Sequence, residues 1–245
     1  MTTYIGVDWA SRGWLAVATD GHDWSAKMHP SLHSVWFTYR DAETILVDIP
    51  IGLPDSERRE CDRQAKEFVG TGRARSVFWT PCRAAVAANT YEQSKQANQE
   101  CRGDSLSSQA WGLIPRIQEV DQLLRDHEEA QETIIESHPE VCFAAFHTGD
   151  SLLSKHDTAG IEERLATLEM VNDSIPEIYS RLEATHIKEP PSWARRIGAS
   201  NRDDLVDAIA LALTAELGAD GFNTFPEDPP TDAEGLPMQI VYAEQ

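Results

Sequence analysis

Three short apolar segments of this chain each run directly into an acidic residue, and this repeated pattern limits the folds available to it. The segments with their acids are 4–7 with Asp8, 44–47 with Asp48, and 133–135 with Glu136. Short apolar runs bounded by turn residues predict buried β-strands. When such strands are parallel, their carboxyl ends meet at one edge of the sheet, where ligands bind in open α/β folds. The three acids are therefore expected to share one site.

The segments between these strands predict an open mixed sheet of the α/β class. A strand at 13–19 follows the first strand after the short turn Ser11-Arg12, which predicts a hairpin, and a third strand fits 23–28. A helix over 32–42 leads into a strand at 44–49, which is apolar on both faces, as is typical of a central parallel strand. Right-handed connections then place helices on both faces of the sheet.

A chain of 245 residues can form one large α/β domain, and a single domain over 1–245 is expected here. After Pro54 the composition changes to charged helical segments, which predict a helical insertion over about 55–130. The later predicted elements are helices at 161–171, 176–184 and 202–217, and a Pro-, Gly- and acid-rich tail over about 219–245, in which 238–242 is expected to dock as a late edge strand.

The charge of the chain constrains its environment and its partners. With 41 acidic and 21 basic residues, the formal net charge is −20 at pH 7. Such a charge suits a protein of a high-salt cytoplasm, where repulsion is screened within about 3 Å at molar ionic strength, and an ordinary acidic protein is the open alternative. The acidity argues against a partner held by a broad basic surface. It leaves open a polyanion held locally through metal ions.

The cysteines and the hydropathy pattern give no sign of a secreted or membrane protein. The four cysteines show no CxxC spacing, so neither a disulfide framework nor a zinc site is expected. The chain begins directly with a strand, without a charged and apolar leader, and no apolar run approaches membrane length. We therefore expect a cytoplasmic protein without a membrane partner.

The last predicted helix carries a further pair of acids. Ser200 or Asn201 is a natural N-cap, and an acid in the first turn, such as Asp203, is explained by the helix dipole alone. Asp207 lies beyond the first turn among apolar neighbours, where an unpaired carboxylate is costly to bury. Asp204 shares its side of the helix, three residues earlier. These two acids are expected to join the strand-end acids, although each strand-end acid alone could simply cap the turn or helix that follows it.

Clustered carboxylates repel one another strongly unless cations bind between them. Hard divalent ions prefer carboxylate oxygens, so Mg²⁺ or Mn²⁺ is the expected cofactor. Two such ions support the attack of water on a phosphodiester bond, which predicts phosphodiester hydrolysis. The expected metal ligands are Asp8, Asp48, Asp204 and Asp207, and Glu136 completes the expected catalytic set.

The remaining candidates would contact the substrate. Cationic residues follow Asp48 closely, and arginines suit bidentate phosphate contacts. A solvated helix face that pairs with Glu57, Glu60 and Glu67 explains the first of them equally well, while Arg73 and Arg75 lie beside a Gly-rich break. Phe78-Trp79 adjoins these arginines and could stack bases. The cationic residues are Arg58, Arg59, Arg63, Lys66, Arg73, Arg75 and Arg83.

Two further side chains could contact the substrate together with these arginines. His138 follows Glu136 by two residues and would point to the same side of an extended strand, where it could relay protons or bind backbone. Lys155 could reach a phosphate or remain a surface lysine. The substrate-binding residues expected from the sequence are therefore Arg73, Arg75, Lys155 and His138.

Several short motifs extend from the first strand to the end of the chain. They are Gly6-Val7-Asp8, Val47-Asp48-Ile49-Pro50-Ile51-Gly52-Leu53, Arg59-Glu60-Cys61-Asp62, Ser76-Val77-Phe78, Glu136-Ser137-His138-Pro139-Glu140, Ser154-Lys155 with Gly160 and Arg164, Asp203-Asp204-Leu205-Val206-Asp207-Ala208, and Gly235-Leu236-Pro237-Met238. Together they resemble the family of unknown function numbered 429, described as predicted RNase H-like nucleases.

The resemblance implies an RNase H-like fold, whose five-stranded mixed sheet has the order 3-2-1-4-5 with helices on both faces. In that fold the acids come from the first strand, the fourth strand and the last helix, here Asp8, Asp48 and Asp204 or Asp207. Holliday-junction resolvases of this superfamily have paired acids on the last helix. Glu136 has no standard position there. The implied partner is DNA or RNA, held through metal ions and the local Arg cluster.

Two other functions compete with the nuclease. Actin-like ATPases and sugar kinases share this sheet topology, and 6–13 resembles their first phosphate loop, although a second phosphate motif and an adenosine motif are missing. A non-catalytic protein that keeps the fold and binds nucleic acid or a partner is the third possibility.

Overall fold

β1 (Tyr4–Trp9) is the central strand of the main sheet and pairs with a neighbour on each edge. The computed structural model describes residues 2–147, 152–155, 157–188 and 201–245. The other strands of this sheet are β2 (Trp14–Thr19), β3 (Trp24–His29), β4 (Thr44–Val47) and β5 (Ile134–Glu136), and a separate two-stranded sheet contains β6 (Asn223–Phe225) and β7 (Ile240–Tyr242).

The main sheet has the order β3-β2-β1-β4-β5. β2 runs antiparallel to β1 and to β3, whereas β1, β4 and β5 are parallel. The first hairpin turns at Ser11, whose φ is +58°, and the Ala10 amide donates to the Gly13 carbonyl over 2.9 Å. The predicted mixed sheet of order 3-2-1-4-5 is therefore confirmed.

Helices cover both faces of the main sheet, as predicted. Helices that begin at Glu60, Arg83, Tyr91 and Ser108 lie in the region predicted as a helical insertion. In the described residues, no helix combines the length and the apolarity that a membrane span requires. The helices are α1 (Leu32–Thr38), α2 (Glu60–Phe68), α3 (Arg83–Val86), α4 (Tyr91–Arg102), α5 (Ser108–Asp126), α6 (Glu128–Thr133), α7 (Pro139–Phe146), α8 (Thr158–Val171), α9 (Ile175–Glu183) and α10 (Arg202–Leu217).

The sequence patterns did not predict α6 and α7. α7 is buried along most of its length, so its residues lack the alternation of apolar and polar positions that marks an amphipathic helix. One local signal was present: Pro139 occupies the first turn, a position that suits proline because the amide there has no helical partner.

Alternate positions of the strands face two separate cores. On one face of the sheet, Val7 and Val47 pack with Ile117 of α5. On the other face, Leu46 packs in a cluster that contains Ile209 of α10 and residues of α7 to α9. This alternation decides on which face the acids at the strand ends lie.

The C-terminal segment, predicted as a tail, contains two strands and contacts the rest of the fold. β7 pairs with β6 in the separate sheet, and Val241 forms a parallel bridge with Ser137 just beyond β5. The expectation that 238–242 docks as an edge strand is thus corrected, because its main partner is β6. Leu236 is 1% exposed, and the Asp232 carboxylate accepts hydrogen bonds from the Leu53 amide at 2.8 Å and from Arg83.

α10 lies directly on β1 because Gly6 has no side chain. A Cβ atom at Gly6 would lie 2.1 Å from the Ala208 carbonyl oxygen and 2.3 Å from the Ala212 nitrogen. Both distances are far below van der Waals contact, and both neighbours are backbone atoms of a helix. The glycine therefore fixes how closely the last helix approaches the central strand.

We expect Gly6→Ala to lower the free energy of unfolding by about 1–3 kcal/mol, because the added methyl forces α10 away from β1. Urea unfolding followed by tryptophan fluorescence measures this. The control is Gly112→Ala, at an exposed position of α5 with open space around it, where alanine should stabilise the helix by about 0.5–1 kcal/mol. Wild-type stability in the Gly6 variant would contradict the packing.

Candidate functional site

The pairing register of β1 and β4 brings Asp8 and Asp48 side by side. Val7 pairs with Val47, and the Asp48 amide donates to the Val7 carbonyl over 3.1 Å. Because both valines face the α5 side, the aspartates that follow them face the opposite side, where α10 lies. Asp8 is 7% exposed, and its Oδ1 accepts a 2.7 Å hydrogen bond from the Trp9 amide.

Glu136 lies one register position earlier than the two aspartates. It pairs with Val47 rather than with Asp48, whose equivalent on β5 is Ser137. A shift of one residue along a strand turns the side chain to the other face of the sheet. The expectation that Glu136 is equivalent to Asp8 and Asp48 is therefore wrong, although Glu136 and Asp48 both line one small cavity.

Arg59 binds the Glu136 carboxylate in a buried ion network. Its guanidinium donates to both Glu136 oxygens, each at 2.7 Å, and to Asp62 Oδ1 at 2.5 Å. Arg59 also donates to the Ile51 carbonyl, while the Ile51 amide donates to Glu136. Arg59 and Glu136 are 2% and 5% exposed. The network joins the end of β5 to the loop that follows Asp48.

α10 supplies the other two acids of the site. Asn201 is the N-cap residue, but its side chain donates to Asp204 Oδ2 at 2.5 Å and to Ser11 Oγ at 2.8 Å instead of capping. Ser200, the alternative cap, lies outside the described residues. These bonds join the start of α10 to the β1–β2 hairpin. Three residues after Asp204, Asp207 is fully buried.

Lys155 places a positive charge among these aspartates. Its Nζ donates to Asp207 Oδ2 at 2.6 Å. Attraction to Asp207 raises the pKa of Lys155, against desolvation, and Asp8 and Asp48 add to the attraction. The lysine predicted as a substrate contact is thus an ion-pair partner within the acidic site.

The loop that carries Lys155 is held by α8. Arg164 donates to the Leu153 carbonyl at 2.8 Å and to Glu140 Oε1 at 2.6 Å. Gly160 allows a close approach, since a Cβ there would lie 1.9 Å from the Ser154 carbonyl oxygen. The spacing of Ser154-Lys155, Gly160 and Arg164 therefore builds the loop that presents the lysine.

The aspartates interact electrostatically as one cluster. Burial raises the pKa of Asp8 well above its usual range, and repulsion from Asp48, Asp204 and Asp207 adds to this, while Lys155 opposes it. Burial also raises the pKa of Asp207, and that of Asp204 to about 6. Among the described residues, Lys155 is a cation that lowers the pKa of all three of these aspartates.

One carboxylate oxygen of the cluster is left without a partner. Asp207 Oδ1 is buried and accepts no hydrogen bond in the described part of the chain. Among residues 2–147, 152–155, 157–188 and 201–245, no three His, Cys, Asp or Glu side chains are spaced so as to hold a metal ion. The metal site stays a prediction, and Lys155 is the cation that contacts Asp207.

The predicted cationic cluster is mostly used in ion pairs. Arg73 pairs with Glu140 at 3.2 Å, and Glu140 in turn contributes to the repulsion felt by Asp207. Arg63 pairs with Glu60 and Glu67, as the solvated-helix reading predicted. The other pairs are Arg58 with Asp104, Arg59 with Asp62 and Glu136, and Arg83 with Asp121 and Asp232, while Lys66 donates to the carbonyls of Ala74 and Val77.

His138 serves as the N-cap of α7. Its Nδ1 accepts from the Glu140 amide at 3.2 Å, and its Nε2 lies 3.4 Å from the Ser76 carbonyl oxygen. Since Nδ1 accepts, Nε2 carries the proton and donates to that carbonyl. This is the backbone-bound histidine that the sequence left as an alternative to a proton relay.

A family model described as "Protein of unknown function (DUF429)" matches residues 6–231. The chain belongs to this family. No curated protein and no solved structure matches the chain. The DUF429 match extends from β1 to the segment between β6 and β7, so it includes all the aspartates of the site and the lysine between them.

The sequence did not assign Glu140 and Arg164 a role in this DUF429 protein, and it grouped Arg59 only with the cationic residues that could bind phosphates. Arg59, Glu140 and Arg164 all lie within the quoted motifs. Each is buried, and each forms an ion pair with a partner that is distant in the chain. The only available signal was the charge itself: an arginine or glutamate inside an otherwise apolar motif requires a partner.

The raised pKa of Asp204 predicts a pH-dependent stability. Its carboxyl has an ordinary value of 3.8 and a folded value of about 6, so the native state binds more protons between these limits. Stability contributed by this group therefore falls as pH rises from about 4 to about 6. Unfolding in EDTA should show Asp204→Asn gaining stability relative to wild type across this range. A constant difference would contradict the raised pKa.

Proposed function

We propose that this DUF429 protein is an RNase H-like nuclease that hydrolyses phosphodiester bonds of nucleic acid with the help of divalent metal ions. The observation that carries the proposal is the convergence of Asp8, Asp48, Asp204 and Asp207 from two parallel strands and the last helix onto one cluster, in which Asp8 and Asp207 are buried and the other two are half-buried. The sheet order and the positions of these acids are those expected for an RNase H-like enzyme.

The chemistry of the donors suits Mg²⁺ or Mn²⁺, although no three of the described carboxylates are spaced to hold an ion as they stand. All four side chains offer carboxylate oxygens, which these hard cations prefer. The buried Asp207 Oδ1 has no partner in the described residues, and burial, together with repulsion from neighbouring acids, raises the pKa of Asp8 and Asp207. Bound divalent ions would lower the pKa of the attacking water and stabilise the charge that develops on the phosphate.

The residues of the chain hold and orient the cluster. The Trp9 amide fixes Asp8, and Asn201 fixes Asp204. Lys155 balances part of the negative charge and lies where a phosphate oxygen would be attracted. The network of Arg59 and Glu136 does not join the cluster but holds the loop after Asp48 through the Ile51 backbone.

The geometry of the first loop supports an actin-like ATPase or sugar kinase less well than it supports a nuclease. A phosphate loop needs glycine backbone that is open to its ligand. Gly6 lies under α10, and a Cβ at Gly13 would lie 2.5 Å from the His29 carbonyl oxygen. Both glycines are therefore used for close packing within the fold.

Metal binding tests the cluster directly. We expect Mn²⁺ to bind the wild-type protein in isothermal titration calorimetry, and Asp207→Asn to weaken it by more than the roughly 10- to 100-fold typical of second-shell changes. Lys155→Met should instead tighten binding, because it removes the cation that competes for Asp207. The charge-matched control is Asp41→Asn, at an exposed position. Equal Mn²⁺ affinity in wild type and Asp207→Asn would overturn the metal site.

Turnover tests the proposed reaction. Single-stranded, duplex and junction forms of DNA and RNA are incubated with Mg²⁺ or Mn²⁺ from low to multimolar salt, because the charge of −20 favours stability at high salt. Cleavage is expected in wild type and Asp41→Asn and should be lost in Asp8→Asn, which keeps its fold by circular dichroism. Cleavage that persists at the wild-type rate in Asp8→Asn would locate the chemistry elsewhere.

A further inference from the structure

A cavity of about 240 Å³ lies near the aspartate cluster. It is enclosed by α2, the segment 75–79, the end of α4 and the start of α5. Val77 and Phe78 line this cavity and also a smaller one that is lined by Asp48 and His138. The two cavities are therefore neighbours, and the 75–79 segment separates them at Phe78.

The charge of this cavity is opposite to that of the whole chain. Its lining contains Lys66, Arg75 and Arg102 but Asp104 as its single carboxylate, whereas the net charge of the chain is −20. A cationic lining in an otherwise acidic protein attracts anions to this cavity, whereas the surrounding acidic surface repels them. The ligand class that this cavity favours is therefore anionic.

One of these cations has donors to spare. Arg75 is exposed and forms no hydrogen bond or ion pair with the described residues. The Arg102 side chain is 2% exposed and donates to the Thr80 carbonyl and to Asp104, so it adds positive charge to the lining but no free donor. Guanidinium donors that the fold does not use suit phosphate oxygens, which accept several hydrogen bonds at once.

The start of α5 adds to this preference for anions. Ser107, Gln109 and Ala110 line the cavity at the N-terminus of a helix of 19 residues. Ser107 Oγ accepts from the Ala110 amide at 3.1 Å, which leaves the other first-turn amides for a ligand or solvent. The helix dipole favours negative charge at this end.

Aromatic side chains supply a surface for a base. The Trp79 ring already forms cation–π contacts, with the Arg58 guanidinium 4.2 Å and the Lys66 ammonium 5.1 Å from its ring centre. Phe78 is half-buried, lines both cavities and has no such partner in the described residues. An anion-binding cavity with a free aromatic ring is the combination that single-stranded nucleic-acid sites use.

We propose that this cavity binds one nucleotide of a single-stranded nucleic acid, with its phosphate at Arg75 and its base against Phe78. The volume is below the roughly 300 Å³ at which drug-sized pockets begin, so it suits a single nucleotide and excludes a duplex. The choice of nucleic acid among anions rests on the proposed nuclease function.

Binding is measured without turnover, by fluorescence polarisation of a labelled single-stranded oligonucleotide in EDTA. Phe78→Leu should weaken binding by up to the roughly 5- to 150-fold range of base stacking. Arg75→Ala should weaken binding and reduce the slope of log affinity against log salt by about 0.7. The control is Arg40→Ala, an exposed arginine at the end of α1, which should leave the slope unchanged.

The outcomes separate this inference from the nuclease. Binding that depends on Arg75 and Phe78 supports the cavity even if no substrate is cleaved. Wild-type affinity and salt slope in Arg75→Ala overturn it, even if cleavage is found. Duplex of the same sequence that binds as tightly, or inorganic phosphate that competes as well as a nucleoside monophosphate, also overturns it, because neither contains an accessible base for Phe78.

Discussion

The close contact between α10 and β1 is the interaction on which the rest of the site depends. Gly6 lets the helix backbone approach the strand to a distance that no side chain would allow. Since Asp8 lies two residues after Gly6, it faces the same helix, and α10 then brings Asp204 and Asp207 to it. A small residue in the strand thus decides that acids from opposite ends of the chain share one site.

Burial of so much negative charge requires cations, and the protein supplies them on both faces of the sheet. Lys155 binds Asp207 on the α10 face, and Arg59 binds Glu136 on the other. The Glu136 pair is satisfied from several directions, as a buried ion pair must be to offset its desolvation. The aspartate cluster is not, because Asp207 Oδ1 has no partner in the described residues. That difference distinguishes the structural network from the candidate site.

The sequence predicted the strands of the main sheet and the helix that carries Asp204 and Asp207, because each has a clear apolar period and a polar end, while the strand order was implied by the resemblance to the family. It did not predict α7, which is buried on most sides and has no amphipathic pattern. It also overestimated the free positive charge after Asp48, because arginines such as Arg73 and Arg83 pair with carboxylates that only the fold brings near. Arg75 keeps its charge available because it lies in an exposed loop.

The sequence by itself determined that Asp8 and Asp48 lie at the ends of buried strands and that Asp207 lies within an apolar helix, since local pattern sets both the element and its end. Only the tertiary structure decided which acids meet. Strand register, which depends on pairing between distant segments, turned Glu136 to the opposite face by one residue. The packing of a loop on α8 brought Lys155 to Asp207, a contact that no local pattern encodes.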